Sequence, residues 1–182
     1  MATNSKDIEN LLMGSRSKSM LSEKTQAILN EHIAMELEAA QIYKAMYSWC
    51  EYNGYLGAAN YFSLHYKEEV EHMDKIYKYI LDRMALPKTP QVKAINNKFS
   101  SFREVIKKAL EHEIYVEDSY KKSLDKIWIE KDHTTFEFLQ WYVDEQVEEI
   151  AGFSNILDRL DIAGNDASAI LMIDKEMGQR DD

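Results

Sequence analysis

Proline and glycine are scarce, with two and six residues in a chain of 182. So few chain breakers disfavour an all-β sandwich or a mixed sheet, both of which need many turns, and favour long uninterrupted helices. Cysteine is rarer still: Cys50 stands alone, which excludes an intramolecular disulfide and fits a reducing compartment. The N-terminus lacks the apolar run of a signal peptide, and no stretch approaches the ~20 apolar residues of a membrane span. A cytoplasmic protein without membrane partners is expected. Basic residues are outnumbered, 22 against 32 acidic ones, for a net charge of -10. A phosphate backbone repels such a chain, so nucleic acid is not expected as a partner. The first twenty residues carry Lys6, Arg16 and Lys18 against Asp7 and Glu9, so they form no basic arm. Acidity suits a host for cations, although by itself it usually serves only solubility.

What is abundant is helix-forming sequence. Helical periodicity predicts four long segments, over residues 22–51, 57–83, 99–129 and 134–160, with Asn53-Gly54 ending the first and Gly164 the last. A short fifth helix over 167–177 follows a cap at Asp166. Helices of nearly thirty residues are ~42 Å long. The turns after the first and third are short and join antiparallel neighbours. The connection 84–98 is long and holds both prolines, Pro87 and Pro90. Its extended reach is ~50 Å, enough to travel the length of a bundle and leave the second and third helices parallel. The expected fold is all-α: a four-helix bundle with one long crossover and a short fifth C-terminal helix.

Steps of seven stay near one helix face. In the first helix they give Leu29, Glu36, Tyr43 and Cys50; in the second, Phe62, Glu69 and Ile76, with His72 one turn beyond Glu69. The third gives Phe99, Ile106, Glu113, Tyr120 and Ile127. The fourth gives Leu139, Gln146, Phe153 and Leu160, beside Tyr142, Glu149 and Ile156. Each helix therefore carries a carboxylate in an otherwise largely apolar file, near its midpoint. In a bundle of equal rods the midpoints share one layer. A single interior glutamate is commonly a solvated residue assigned to the wrong face; four at one level are not explained that way. Burying ionised carboxylates costs several kcal/mol each unless they are neutralised. No lysine or arginine lies in these files at that level, which leaves shared protons or metal. Two divalent cations would balance four carboxylates. Carboxylates with one imidazole suit iron or manganese, whereas structural zinc more often recruits cysteine.

Three sequence features carry a resemblance. Glu69-Val70-Glu71-His72 is a Glu-x-x-His motif, the run from Trp141 to Glu149 resembles a fourth-helix signature, and Asn53-Gly54 with Gly57-Ala58-Ala59 matches a characteristic first turn. On these the chain resembles the non-haem bacterial ferritins from about residue 22 onward. The resemblance implies a ferritin-like di-iron bundle over 22–163, a short C-terminal helix and tail over 164–182, and an N-terminal extension, 1–21, of unassigned function.

It implies that Glu36, Glu69 and His72 hold a first iron, and that Glu69 bridges to a second completed by Glu113 and Glu149. Gln146 stands where related di-iron proteins place histidine, implying a looser second iron. Tyr43 matches a tyrosine that donates a hydrogen bond or an electron, and it reads equally well as a buried core aromatic. Glu68, Glu145 and Glu148 match a further carboxylate site for a third iron, or equally a solvated charged face. Val70 replaces the methionine of haem-binding relatives, so no haem is expected. The implied activity is that of a ferroxidase: Fe(II) is oxidised by O2 or hydrogen peroxide and stored as Fe(III) mineral inside a homo-oligomeric shell of twenty-four subunits. The apolar run from Ala169 to Ile173 would be buried at a subunit interface. The alternative is a di-iron oxygenase or peroxidase on the same bundle. A mini-ferritin would build its site between subunits, and a plain helical interaction module leaves the carboxylate layer unexplained.

Overall fold

Ser22 opens the first helix, α1 (Glu23–Asn53), its hydroxyl accepting the Thr25 amide at 3.1 Å. Gly54 closes it at φ 84°, a left-handed conformation in which glycine carries no steric penalty. The computed structural model describes residues 19–91 and 93–179. Most of the predicted N-terminal extension lies outside the described residues, as do the last three residues of the tail. Three more long helices follow: α2 (Leu56–Asp82), α3 (Phe102–Glu130) and α4 (His133–Ala163). The short α5 spans Ala167–Met177, with Asp166 accepting the Ser168 and Ala169 amides at 2.8 and 3.2 Å. No strand occurs among the described residues.

The start of α3, expected at residue 99, shifts by three residues, as does the end of α4, expected at 160. Ser101 caps the Glu104 amide at 3.1 Å, and Glu104 turns back to accept the Ser100 amide at 2.6 Å, so the helix begins at Phe102. Phe99 stays in the connection. Its carbonyl accepts the Trp49 indole N–H at 3.1 Å, and the two rings meet edge to face.

The connection from α2 to α3 runs along α1. Near one end Lys88 N–H donates to Asn30 at 2.6 Å, and near the other Phe99 meets Trp49. Those α1 anchors are nineteen residues apart, or ~28 Å of helix. Tyr79 at the end of α2 bonds Thr135 at the start of α4 (2.9 Å), while Tyr55 before α2 stacks on Phe102 at the start of α3 (4.4 Å). Thus α2 and α3 are parallel, and each is antiparallel to its hairpin partner. This is the expected bundle with its crossover.

The apolar core is in two parts. One gathers Met46, Phe62, Phe102, Ile106 and Phe153; the other gathers Leu29, Ile33, Ile76, Ile80, Ile127 and Leu139. Each such side chain, fully buried, contributes about 1.5–3 kcal/mol, which offsets the cost of the polar layer between the two parts.

Helix α5 docks through a buried carboxylate. Asp174 accepts the amides of Gly57 (3.3 Å) and Ala58 (2.8 Å), unsatisfied donors in the first turn of α2. Any Cβ at Gly57 would overlap the Asp174 carbonyl, so the close approach requires glycine. The apolar run expected to be buried between subunits is split: Ile173 and Met177 enter the chain's own core, while Leu171 and Met172 remain exposed. Among the described residues no helix is long and apolar enough to cross a membrane.

Candidate metal centre

The polar layer is buried as the seven-residue files require: Glu36 is 2%, Glu69 6%, Glu113 1% and Gln146 4% exposed. On one side, α1 supplies Glu36 and α2 supplies Glu69 and His72. His72 Nδ1 lies 3.5 Å from Glu69 Oε2 and 3.8 Å from Glu36 Oε2. One donor atom from each lies within 4.8 Å of the others, a spacing that a small contraction converts into a shared ion with ligand distances of ~2.1 Å. Across the layer Glu113 is occupied by the protein itself. The Tyr43 hydroxyl donates to its Oε1 and the Gln146 amide to its Oε2.

Glu149, expected beside Glu113, turns instead toward a residue that periodicity did not single out. Its Oε2 lies 3.2 Å from His65 Nδ1, and Glu68 Oε2 lies 3.4 Å from the same nitrogen. His65, Glu68 and Glu149 form a second group of closely spaced potential metal ligands. His65 is buried, its ring packed against Tyr43, Tyr61 and Phe153. The available signal was its position seven residues before His72, on the same face. Glu145 and Glu148 do not join this group. They line, with Glu68, Glu149, Glu71, Lys75 and Trp141, a cleft of about 660 Å³. The Lys75 ammonium sits 2.8 Å from the centre of the Trp141 ring, outside the files of the layer.

Without metal the layer balances itself with protons. Burial pushes the Glu36 carboxyl upward, but hydrogen bonds with His72 and Glu69 outweigh this and leave it below its ordinary value. Burial, aided by the Glu36 charge, drives Glu69 well above its ordinary value. Burial also disfavours a charged His72, yet its bonds to Glu36 and Glu69 raise it to about 10. Burial and the Glu149 charge lift Glu113 to about 8. Near neutrality His72 is thus a cation and Glu113 holds its proton, while Glu36 favours its charged form and Glu69 its neutral one. Both routes to neutralisation left open by the sequence are available to this donor set. Protons serve when no metal is bound, and an entering cation must displace them.

This geometry sits inside a bundle whose sequence matches the ferritin-like domain model over residues 26–163. The chain belongs to the ferritin family. It is 36% identical to a probable bacterial non-haem ferritin-like protein of Haemophilus influenzae, over 87% of this chain and 96% of that one. It is 38% identical to a bacterial non-haem ferritin of Staphylococcus aureus, over 88% and 97% of the two chains. Among solved structures, the open-pore ferritin of the archaeon Archaeoglobus fulgidus superposes with a TM-score of 0.87 at 32% identity, covering 90% of this chain and all of that one. The all-helical bundle with its short last helix is therefore the ferritin fold.

Proposed function

We propose that the protein is an iron-storage ferritin that oxidises Fe(II) at a paired-metal centre within each bundle and holds the Fe(III) product as mineral in a hollow shell of identical chains, twenty-four in number. The observation that carries this is the convergence of Glu36, Glu69 and His72 from α1 and α2 on one buried point, opposite Glu113 and Gln146 from α3 and α4. Iron is the substrate here, and the side chains bind it, place it and exchange protons with it.

The first Fe(II) enters at Glu36, Glu69 and His72, displacing the protons that Glu69 and His72 hold. The second enters between Glu69, Glu113 and Glu149. For that, the Gln146 amide and the Tyr43 hydroxyl must release Glu113, and Glu149 must turn from His65. Breaking these contacts makes the second ion the weaker and more exchangeable one. Two Fe(II) ions yield two electrons together, enough with two protons to take O2 to hydrogen peroxide, or hydrogen peroxide to water. One-electron reduction to superoxide is thereby avoided. The displaced protons supply part of that demand. The ferric product leaves by way of the His65, Glu68 and Glu149 group and the cleft that Glu68 and Glu149 line with Glu145 and Glu148, where a third iron is held in passage. No haem is involved, since Val70 offers no axial ligand.

Anaerobic titration with Fe(II) or Co(II) tests the proposal, the expected end point being two ions per chain. Glu69→Ala removes the carboxylate shared by both ions. It should lower the initial rate of Fe(II) oxidation at least a hundredfold, about 2.7 kcal/mol of barrier, with helix content unchanged by circular dichroism. Oxidation at the parent rate would refute the bridging role.

A further inference from the structure

The first metal position is gripped from behind by a pair of tyrosines. The Tyr120 ring on α3 stacks on the Tyr142 ring on α4, with centroids 4.8 Å apart and planes 13° from parallel. The Tyr120 hydroxyl donates to Glu36 Oε1, and the Tyr142 hydroxyl donates to the His72 carbonyl at 3.0 Å. Each tyrosine therefore holds one member of the Glu36–His72 pair, from helices that contribute neither. The other face of Tyr120 is covered by His32, stacked at 4.0 Å and 2° from parallel, and His32 Nε2 is tied to the Ser123 hydroxyl at 2.8 Å. Glu36, Tyr120, Tyr142 and His32 are all nearly or fully buried, so water does not compete for these bonds.

The two oxygens of Glu36 are consequently not equivalent. Oε1 is taken by the phenol, and Oε2 faces His72 and is left for an ion. We propose that Tyr120 is a positioning residue that restricts Glu36 to one-oxygen binding of the first metal, with the His32–Ser123 bond fixing the ring that does so. This rests on the reading that Glu36, Glu69 and His72 bind a divalent ion. A free carboxylate can chelate with both oxygens and occupy two coordination positions. The phenol denies it the second, keeping a position on the ion open for the oxidant, the feature that separates catalytic from structural metal sites. Partners behind the ligands that fix their orientation commonly govern metal affinity by tenfold or more.

The test is an anaerobic Co(II) titration of the parent and of Tyr120→Phe, which removes one oxygen and keeps the stacked ring. The binding isotherm and the visible Co(II) spectrum are both read. The parent should show the intense bands of an ion with few ligands. Y120F should show weaker bands of higher coordination as Glu36 becomes bidentate, with first-site affinity lowered about tenfold. A purely structural tyrosine would lower the melting temperature and leave spectrum and isotherm unchanged, and that result overturns the inference. Should Y120F fail to fold, Ser123→Ala decides. It frees His32 without touching Tyr120 and should shift the same spectrum in the same direction by a smaller amount; an unchanged spectrum again overturns the inference. Absence of Co(II) uptake by the parent would sink the metal-site reading itself and this inference with it. Normal parent uptake with unaltered variants would sink the inference alone.

Discussion

Single side chains in the layer store protons, and this makes both stability and metal uptake depend on pH. Glu113 is raised to about 8 by burial and by the Glu149 charge. The folded protein holds that proton more tightly than the unfolded chain does. Its contribution to stability is complete below the ordinary carboxyl range and is lost as pH rises through about 8. His72 behaves alike, complete below its ordinary value of 6.5 and lost through about 10. His32 runs the other way. Burial lowers it to about 4, so its contribution is full above 6.5 and is lost as pH falls from there to about 4. Metal-free protein should therefore melt at progressively lower temperature from pH 6 to pH 9. Glu113→Gln should flatten part of this slope and exceed the parent in stability at pH 9 by roughly 1 kcal/mol. Parallel melting curves for parent and E113Q across that range would reject the protonated Glu113. Binding of Co(II) at pH 6.5 should acidify a weakly buffered solution, as the protons of Glu69 and His72 are expelled.

The burial of Glu36, Glu69, Glu113 and Gln146 was legible in the sequence because each sits in an apolar file of period seven, a pattern that fixes facing and height. Their pairing was not. Whether Glu113 meets Gln146 or Glu149, and whether Glu149 meets His65, depends on rotamers chosen among several polar neighbours at one level. His65 shares a face with His72, but a lone imidazole in an aromatic setting carries nothing in the sequence that separates packing from ligation. Tyr120 was legible as a buried file member, while its bond to Glu36 required knowing that α1 and α3 meet at that height.

For whole elements the periodicity located all five helices, with α5 placed to the residue because the candidate cap Asp166 does accept the first-turn amides. It misjudged the start of α3, where Phe99 continues the apolar file but Ser101 sets the first turn. The apolar run before Asp174 was expected to be buried as a whole, although on a helix Leu171 and Met172 point away from Ile173 and Met177. The aspartate that docks α5 lay just beyond that run and went unread, because its partners are main-chain amides of Gly57 and Ala58 over a hundred residues away. Asp174→Ala leaves these buried donors unpaired and should cost about 1–2 kcal/mol, in line with the loss of a helix cap. Amide exchange in residues 167–177 should accelerate, while Fe(II) oxidation stays near the parent rate, since no proposed ligand lies on α5. Unchanged exchange there would mean that Ile173 and Met177 alone secure the helix.

For the whole molecule, the question is what covers the apolar surface that a single bundle leaves open. Leu171 and Met172 on α5 are 56% and 63% exposed, and they lie on a helix already fastened to its own chain by Ile173, Asp174 and Met177. Deleting the segment after Gly164 would remove both faces of α5 together, so a smaller assembly could reflect damage to the bundle rather than loss of a contact between chains. Substituting only the outward side chains separates the two causes. Leu171→Glu with Met172→Glu leaves the inner face intact, and each change on an exposed position should alter the stability of the isolated bundle by about 0.5 kcal/mol or less. If copies of the chain meet through this face in the proposed shell, two carboxylates at every copy would be desolvated against like charges, and closure should fail. The expected result is a large uniform particle for the parent and much smaller species for the double variant by light scattering. Melting of those species should show bundles still folded, and a single anaerobic addition of Fe(II) followed by O2 should be oxidised at close to the parent rate. Retention of ferric product should fall, because hydrolysed iron would then precipitate in bulk solution instead of accumulating inside an enclosed volume. A double variant that assembles and retains iron like the parent would show that α5 does not face another chain, and would leave the exposed Ile114, Tyr115, Trp128 and Ile129 of α3 as the surface through which the copies associate.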